Sequence, residues 1–392
     1  MAMMARTLDI CIRGGGIVGH VLALLLARDR LRVGLVVGPA AGDADVRAYA
    51  LNQRSRGLLE QLRSWPQAPD VTAVTRMQVQ ETGAAAVHFD AESLAVSALA
   101  WIVDVPVLEA QLAQAVRFQP QIELLDTPRD ARLTVVCEGR ASASRAQFGV
   151  EQDVAPYPQW AIATRLACSL PHRQVACQWF TPTDILGVLP MQGEGGNLVA
   201  AVWSIPAELK NELLKAPPEM FAEKLQAACG SRYGRMQLAG GRAAWPLQRV
   251  MAQHWSGQYD GRAWVLAGDA AHAVHPLAGQ GLNLGLADAQ ELAAVIHGRD
   301  YWRSVDDARL LRRYERARKA DVAVMAAATD GLQQLFGRAG APWQSLRHWG
   351  MRGFDRSGLL KRWVARQAMG QADGISNTHR PASGPLSLTG PA

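Results

Sequence analysis

The stretch LDICIRGGGIVGHVLALLLARDRLRVGLVV, from Leu8 to Val37, decides the fold. It opens with a short apolar run, Leu8–Ile12, which predicts a buried strand. A glycine cluster follows, and Val18–Arg28 then repeats apolar residues at helical spacing. Leu31–Val37 is a second apolar run, which predicts the next strand. The stretch therefore predicts a β-turn-α-β unit of about 30 residues, the building block of a parallel sheet.

The glycine cluster fits the pattern G-x-G-x-x-G, with Gly14, Gly16 and Gly19 at its three glycine positions. Gly14 would form the tight turn, Gly16 would let the backbone approach a pyrophosphate, and Gly19 would let the helix pack closely on the sheet. The N-terminus of the helix would offer N–H groups and partial positive charge to the phosphates. This context favours dinucleotide binding over a glycine-rich turn in an unrelated α/β protein.

Two positions depart from the pattern. The acidic residue that binds the adenosine ribose should end the second strand, but Gly38 occupies that place, and Asp43 or Asp45 would have to substitute for it. Arg13 ends the first strand, where an unpaired buried charge would be costly. We hypothesise that its guanidinium reaches the pyrophosphate or a nearby carboxylate.

A second glycine-rich stretch, GDAAHAVHPLAGQGLNLGLADA, runs from Gly268 to Ala289. It joins a predicted buried strand, Trp264–Ala267, to a predicted long helix, Gly281–His297. The glycines at 279 and 281 permit close approach of the backbone to a flat ring.

This stretch resembles the GD motif of flavoprotein monooxygenases of the para-hydroxybenzoate-hydroxylase type. The resemblance implies that Asp269 hydrogen-bonds the ribityl chain of FAD and that the loop around Pro276–Gly281 lies beside the isoalloxazine. The N-terminus of the following helix would then face the flavin edge that gains negative charge on reduction. The cofactor-binding residues implied here are Gly268, Asp269, Pro276, Gly279, Gly281, Leu282 and Asn283. His272 and His275 lie in the same stretch, and we interpret them as structural hydrogen-bonding residues.

A third stretch, VCEGRASASR from Val136 to Arg145, resembles the DG motif of the same family, D-G-x-x-S-x-x-R. Glu138 stands where Asp is usual, and Gly139, Ser142 and Arg145 keep the spacing. The resemblance implies contacts with FAD and with the nicotinamide. No second G-x-G-x-x-G lies in a β-α-β context, so no separate nicotinamide domain is predicted. The resemblance implies that NAD(P)H acts as a co-substrate that meets the flavin transiently.

Asp45–Leu51 resembles the D-x-R-x-x-A-L stretch of the ubiquinone-biosynthesis branch of this family. Two further segments, Trp101–Asp104 and Arg313–Arg316, resemble the corresponding segments of the same branch. Arg47 would be a flavin-site contact, with a surface arginine as the alternative. The resemblance implies hydroxylation of a polyprenylated phenol or quinol by O2, through NAD(P)H-reduced FAD and a flavin C4a-hydroperoxide. This chemistry needs no amino-acid nucleophile, and no catalytic side chain is assigned.

The order of these segments predicts an α/β fold. A Rossmann-like FAD-binding domain would be interleaved with an antiparallel β-sheet substrate domain and followed by C-terminal helices. The FAD-binding domain would comprise residues 1–73, 97–153 and 259–345, and the substrate domain residues 74–96 and 154–258. Residues 346–370 would form the C-terminal helices and 371–392 a disordered tail. Some tryptophans of the substrate sheet could line a prenyl pocket, although core packing is the alternative.

Composition narrows the setting. The five cysteines are scattered without metal-ligand spacing, which predicts reduced thiols in a cytoplasmic protein and no metal site. No run of about 20 apolar residues predicts a membrane span. Residues 301–370 carry 14 Lys/Arg against 6 Asp/Glu. This charge indicates solvated helix faces or attachment to the inner membrane surface or to a biosynthetic complex, and no motif for nucleic acid accompanies it.

Two other functions stay open on the sequence. One is an FAD oxidoreductase that does not hydroxylate, such as a prenyl-chain reductase or a halogenase. The other is an assembly subunit of a quinone-biosynthesis complex that keeps the fold but binds flavin poorly. Arg13, Gly38 and Glu138 are the departures that favour the second of these.

Overall fold

The computed structural model describes residues 7–38, 45–81, 86–181, 183–274, 280–337 and 370. Several predictions lie outside these residues. They concern Asp43, His275, Pro276, Gly279, the helices beyond residue 337 and the disordered tail.

The strands are β1 (Leu8–Arg13), β2 (Val33–Val36), β3 (Ala48–Leu51), β4 (Val71–Val74), β5 (Arg76–Glu81), β6 (Val87–Asp90), β7 (Ala100–Asp104), β8 (Ile122–Leu125), β9 (Ala131–Val136), β10 (Gln152–Cys168), β11 (Val175–Phe180), β12 (Ile185–Met191), β13 (Leu198–Pro206), β14 (Met236–Ala252), β15 (Ser256–Tyr259), β16 (Arg262–Leu266) and β17 (His272–Ala273). The helices are α1 (Ile17–Arg28), α2 (Gln53–Gln61), α3 (Val105–Arg117), α4 (Ala143–Gln147), α5 (Lys210–Lys215), α6 (Pro218–Ala228), α7 (Gly281–His297) and α8 (Ala308–Gly337).

A six-stranded sheet carries the nucleotide-binding part, in the order β15-β16-β9-β1-β2-β8. Its strands are parallel from β16 to β8, and only β15 pairs antiparallel. The middle of the central strand β1, Ile10–Ile12, is apolar and fully buried, as expected of a strand inside a parallel sheet. The β-turn-α-β unit predicted from Leu8–Val37 is confirmed, with β1, α1 and β2 close to their predicted bounds.

An eight-stranded sheet lies beside it, in the order β17-β14-β10-β13-β12-β11-β5-β6. The predicted sheet was antiparallel, and one pair differs: β5 runs parallel to β11. The chain reaches β11 from β5 only after crossing through the nucleotide-binding part, so the two strands need not form a hairpin. The 17-residue strand β14 was not predicted from the sequence, although it pairs with β10 over most of its length.

A small antiparallel sheet, β3-β7-β4, was also not predicted. It places the strand that follows Arg47 next to the start of α3. The largest hydrophobic core lies between the six-stranded sheet and helices α1, α3, α7 and α8. The α/β fold class is confirmed, while the domain boundaries given above stay a prediction.

Candidate active site

A cavity of about 940 Å³ opens at the carboxyl ends of the parallel strands. Its walls come from the β1–α1 loop, the end of β2, α3, the end of β9, β14, the GD segment and the start of α7. This volume is at the upper end of the usual range for ligand sites, which suits a ligand as long as a dinucleotide. The position is also the usual one for ligands of open α/β sheets.

Gly14 and Gly19 are required by contacts inside the protein. Gly14 has φ +119°, and a Cβ there would lie 2.4 Å from the carbonyl oxygen of Cys137. A Cβ on Gly19 would lie 2.0 Å from the carbonyl oxygen of Gly14. Any side chain at these two positions would push the loop and α1 off the sheet.

Gly16 is different, because no protein atom lies within 4 Å of the place where its Cβ would be. It lines the cavity at the N-terminus of α1, where free N–H groups face outward. A bare backbone beside an open cavity at a helix N-terminus fits the pyrophosphate of FAD.

The GD segment contributes Gly268 and Asp269. Gly268 has φ +63° and is buried. The side chain of Asp269 keeps 47% exposure because it faces the cavity, with Arg140 at 3.8 Å between Nε and Oδ2. Enclosure by the surrounding protein nevertheless raises the pKa of Asp269. The carboxyl group is therefore positioned to take hydrogen bonds from a hydroxylated ligand inside the cavity.

Asp288 on α7 is fully buried and is hydrogen-bonded to this segment from the protein interior. Its Oδ2 accepts from the backbone N–H of Gly268 at 2.8 Å and lies 2.7 Å from Nε2 of His272. Its Oδ1 accepts from Nε of Arg318 at 2.7 Å. Burial alone would raise the pKa of Asp288, but the charges and hydrogen bonds of His272 and Arg318 lower it. The network fixes the conformation of the loop that presents Asp269.

The structural role expected of His272 agrees with this network, and Trp255 stacks on its ring at 5.1 Å. Asp288 and Arg318 received no role from the sequence. Asp288 stands inside the quoted GD stretch, so an acidic residue directly flanked by Ala287 and Ala289 in the apolar first half of a helix was the available signal.

The DG motif is divided between the cavity and the protein interior. Glu138 and Gly139 line the cavity, whereas Ser142 and Arg145 are buried and do not line it. Arg145 donates to the carbonyl oxygen of Ala270 at 3.0 Å, which ties this motif to the GD segment. Burial raises the pKa of Glu138, but hydrogen bonds from Ser144 and Ser142 outweigh it and lower the pKa. Direct contact of the four motif residues with FAD or nicotinamide stays a prediction. It is best supported for Glu138 and Gly139, because these two line the cavity.

Gly281 and Leu282 line the cavity at the start of α7, but the side chain of Asn283 points away from it. Its Oδ1 accepts from the N–H of Asn52 at 3.0 Å and from Ser55 Oγ at 2.7 Å. Its Nδ2 donates to the carbonyl oxygen of Ala50 at 2.8 Å. Asn283 therefore joins α7 to α2 and β3, and only its backbone remains available to a cofactor.

Arg47 lines the cavity and is clamped by Asp45, with Nε–Oδ1 at 2.9 Å and Nη2–Oδ2 at 2.5 Å. Asp45 is hydrogen-bonded to Arg47 and is not among the residues that line the cavity, so the structure gives no support to its replacing the missing ribose ligand. Tyr49 lines the cavity beside Arg47, and burial raises the pKa of its hydroxyl.

Arg13 does not line the cavity among the residues that the structure describes, so the pyrophosphate form of its hypothesis is wrong. Its Nη1 donates to Ser144 Oγ and Gln147 Oε1, each at 3.0 Å, and its guanidinium lies over Phe148. The carboxylate form of the hypothesis fits better, because the charge of Arg13 helps to lower the pKa of Glu138.

Four tryptophans of the predicted substrate sheet are candidates for lining a substrate pocket, and of these Trp245 on β14 lines the cavity. Trp160, Trp179 and Trp203 pack in or against the core of the eight-stranded sheet instead. Pro246 and Leu247 continue the wall that Trp245 begins. The cavity therefore reaches from the phosphate loop to an apolar wall on the second sheet.

The sequence pattern of the FAD binding domain family matches residues 125–329 of the chain. The 3-demethoxyubiquinol 3-hydroxylase of Escherichia coli (strain K12) is 30% identical over 400 residues, covering 94% of this chain and 100% of that protein. The ubiquinone hydroxylase UbiL of Rhodospirillum rubrum is 29% identical over 393 residues, covering 93% of this chain and 90% of that protein.

Among solved structures, the p-nitrophenol 4-monooxygenase PnpA from Pseudomonas putida DLL-E4 has the same fold. The TM-score is 0.75 at 16% sequence identity, covering 94% of this chain and 99% of that one. FAD as the cofactor and the oxidoreductase class follow from the sequence matches, whereas this likeness supports the fold. The chain belongs to the FAD binding domain family of flavoprotein monooxygenases, together with the Escherichia coli 3-demethoxyubiquinol 3-hydroxylase.

Proposed function

We propose that this protein hydroxylates the aromatic ring of a polyprenylated phenol or quinol in ubiquinone biosynthesis. The observation that carries the proposal is the continuity of the cavity. One space joins Gly16 at the phosphate loop, Asp269 at its centre and Trp245 on the eight-stranded sheet. An enzyme that brings a flavin and an organic ring together needs such a shared space.

The residues proposed to hold FAD follow the length of the cavity. The N–H groups around Gly16 would bind the pyrophosphate, and Arg47 would add positive charge. Asp269 would accept from ribityl hydroxyls, and the N-terminus of α7 at Gly281 and Leu282 would face the flavin ring. Pro276 and Gly279 stay in the prediction and lie outside the described residues.

The overall reaction balances as NAD(P)H, H⁺, O2 and the aromatic C–H giving NAD(P)⁺, water and the aromatic C–OH. Bound flavin supplies the electron transfer and the activation of O2. The protein must orient the ring and exclude water, which suits the apolar wall of Trp245, Pro246 and Leu247. Tyr49 stays protonated at neutral pH because its pKa is raised, so it can donate a hydrogen bond to a phenolic oxygen but cannot act as a base there.

The substrate class is inferred from the names of two relatives, a 3-demethoxyubiquinol 3-hydroxylase and a ubiquinone hydroxylase. Both names denote action on a quinone or quinol. With coverage above nine-tenths of this chain in each case, the similarity extends over the cavity and both sheets.

The test is a turnover assay on the purified protein under ¹⁸O2 with short-chain prenylated phenols and quinols. We expect a flavin absorption spectrum, NADH or NADPH oxidation stimulated by substrate, and one ¹⁸O atom in the ring product. NAD(P)H oxidation without ¹⁸O in any organic product would favour the non-hydroxylating oxidoreductase. A colourless protein that FAD cannot reconstitute would favour the assembly subunit.

We also propose that the protein docks on an anionic membrane surface from the cytoplasmic side. Tyr301 and Trp302, between α7 and α8, are 94% and 67% exposed, and their rings contact each other edge to face. The first turns of α8 then present an exposed basic stripe at helical spacing, formed by Arg309, Arg312, Arg313 and Arg316. Exposed aromatic rings beside arginines suit the headgroup region of a bilayer that contains anionic lipid. No helix in the described part of the chain is long and apolar enough to span a membrane.

Sedimentation with vesicles tests this docking. We expect binding to phosphatidylcholine vesicles that contain phosphatidylglycerol at low salt, and at least tenfold weaker binding after Tyr301→Ser with Trp302→Ser. Met220→Ser is the matched control, because Met220 is an exposed apolar residue on α6. Absence of binding by the wild-type protein at low salt would overturn the membrane proposal and favour a protein complex.

A further inference from the structure

The ribose site of the cofactor lacks its usual acidic residue. In a dinucleotide-binding β-α-β unit, an acid at the end of the second strand accepts from the ribose hydroxyls. Here β2 ends at Val36 and is followed by Val37 and Gly38, all of which line the cavity. A Cβ on Gly38 would meet no atom of the described residues within 4 Å.

Helix α3 supplies another part of the wall of this cavity. Val105, Glu109, Ala113 and Arg117 follow one another at four-residue spacing and all line the cavity. Residues four apart lie on one face of a helix. Leu124 on β8, the strand paired with β2, lines the same cavity and connects this helix face to the end of β2.

Among the described lining residues, three carry a carboxylate: Glu109, Glu138 and Asp269. Glu138 is engaged by Ser142 and Ser144 on α4. Asp269 belongs to the GD segment that follows β16, on the flavin side of the proposed cofactor position. Glu109 is thus the carboxylate left for the adenosine side.

The carboxylate of Glu109 is half-buried, and no hydrogen bond reaches it from the part of the chain that the structure describes. Burial raises its pKa, and the charge of Arg47 opposes this only in part. Arg47 is hydrogen-bonded to Asp45, and no hydrogen bond joins it to Glu109 among the described residues. A half-buried carboxylate without donors has lost part of its hydration, and a ligand that brings hydroxyl donors would offset that loss.

We infer that Glu109, projecting from α3, binds the adenosine ribose of FAD in place of the acidic residue missing at Gly38. The ribose hydroxyls would donate to its carboxylate across the cavity from the end of β2. This moves the ribose ligand from the sheet to the helix that faces it. The inference rests on the FAD-binding part of the proposed function and is independent of the hydroxylated substrate.

Equilibrium binding to the apoprotein, followed by flavin fluorescence, tests the inference. The ligands are FAD, FMN, and an FAD analogue whose adenosine lacks both ribose hydroxyls. We expect Glu109→Ala to weaken FAD binding at least tenfold, since hydrogen bonds to charged groups are the stronger ones. Binding of FMN and of the deoxy analogue should change less than twofold, because neither offers the hydroxyls to residue 109.

Glu109→Gln is the conservative second variant, and we expect an intermediate loss for FAD alone. Glu223→Gln, on the exposed side of α6, is the matched control and should bind all three ligands as the wild type does. Equal losses for FAD and the deoxy analogue would overturn the inference, as would unchanged or tighter FAD binding by Glu109→Gln. Failure of the wild-type protein to bind FAD would instead count against the proposed function itself.

Discussion

At the scale of single residues, Asp288 accepts hydrogen bonds from three partners: the backbone N–H of Gly268 in the GD loop, the imidazole of His272, and the guanidinium of Arg318 on α8. Replacing it by Asn would leave the buried guanidinium of Arg318 without its full counter-charge. We expect Asp288→Asn to lower the free energy of unfolding by about 3 kcal/mol or more, measured by urea denaturation of the apoprotein.

Asp321 provides the control for that substitution, because it also pairs with Arg318 but is 63% exposed. Asp321→Asn should cost less than about 1 kcal/mol, since exposed ion pairs contribute little. Equal losses in the two variants would contradict the role given to the buried partner.

The same residue predicts a pH dependence. The pKa of Asp288 is lowered in the folded protein, so its contribution to stability is present above the unfolded value of 3.8 and is lost as pH falls towards the folded pKa. We expect the stability gap between the wild type and Asp288→Asn to be constant from pH 7 to 5 and to narrow below about pH 4. Urea denaturation at a series of pH values measures this gap. A gap that keeps its size down to pH 3 would show that the charge of Asp288 is not the cause.

At the scale of elements, the β1–α1 loop separates two uses of glycine. Gly19→Ala would force α1 away from the loop, because its Cβ would lie 2.0 Å from a carbonyl oxygen. It should therefore lower both the stability of the apoprotein and its affinity for FAD.

The Cβ added by Gly16→Ala would meet no atom of the described residues within 4 Å, so apoprotein stability should change by less than about 1 kcal/mol while FAD affinity falls at least tenfold. Thermal unfolding and FAD titration of both variants measure the two effects. Unchanged FAD affinity in Gly16→Ala would exclude a cofactor contact at that position.

At the scale of the whole molecule, the cavity takes its walls from both large sheets and from α1, α3 and α7. A ligand that fills it should stabilise the native state as one unit. With free FAD at 100 times its dissociation constant, we expect the free energy of unfolding to rise by about 2.7 kcal/mol over the apoprotein. The urea midpoint measures this, with AMP at the same concentration as the control, which should give a smaller rise. A midpoint that FAD leaves unchanged would contradict a site built from the folded arrangement of these elements.

Much of this site could be predicted from short, continuous stretches of the sequence. The loop of Gly14, Gly16 and Gly19 lies between a strand and a helix because apolar spacing changes there from strand to helix. Asp269 and the start of α7 follow in the same way from one continuous stretch. These features depend on residues adjacent in the chain, so the sequence alone determined the parallel unit, the phosphate loop and the cofactor family.

The tertiary structure decided which polar groups are free for a ligand. Asn283 and Arg13 look like cofactor ligands in the sequence, but distant partners on α2 and α4 occupy their side chains. Glu109 carries no motif, and only the packing of α3 across from β2 brings it to the cavity. Hydrogen-bond partners far apart in sequence meet only through folding, so their competition for each side chain is invisible in a linear pattern. The opening stretch, Leu8–Val37, thus determined the parallel unit and the glycine loop at which we propose that FAD binds, and the packing of other elements decided which side chains line the cavity beside it.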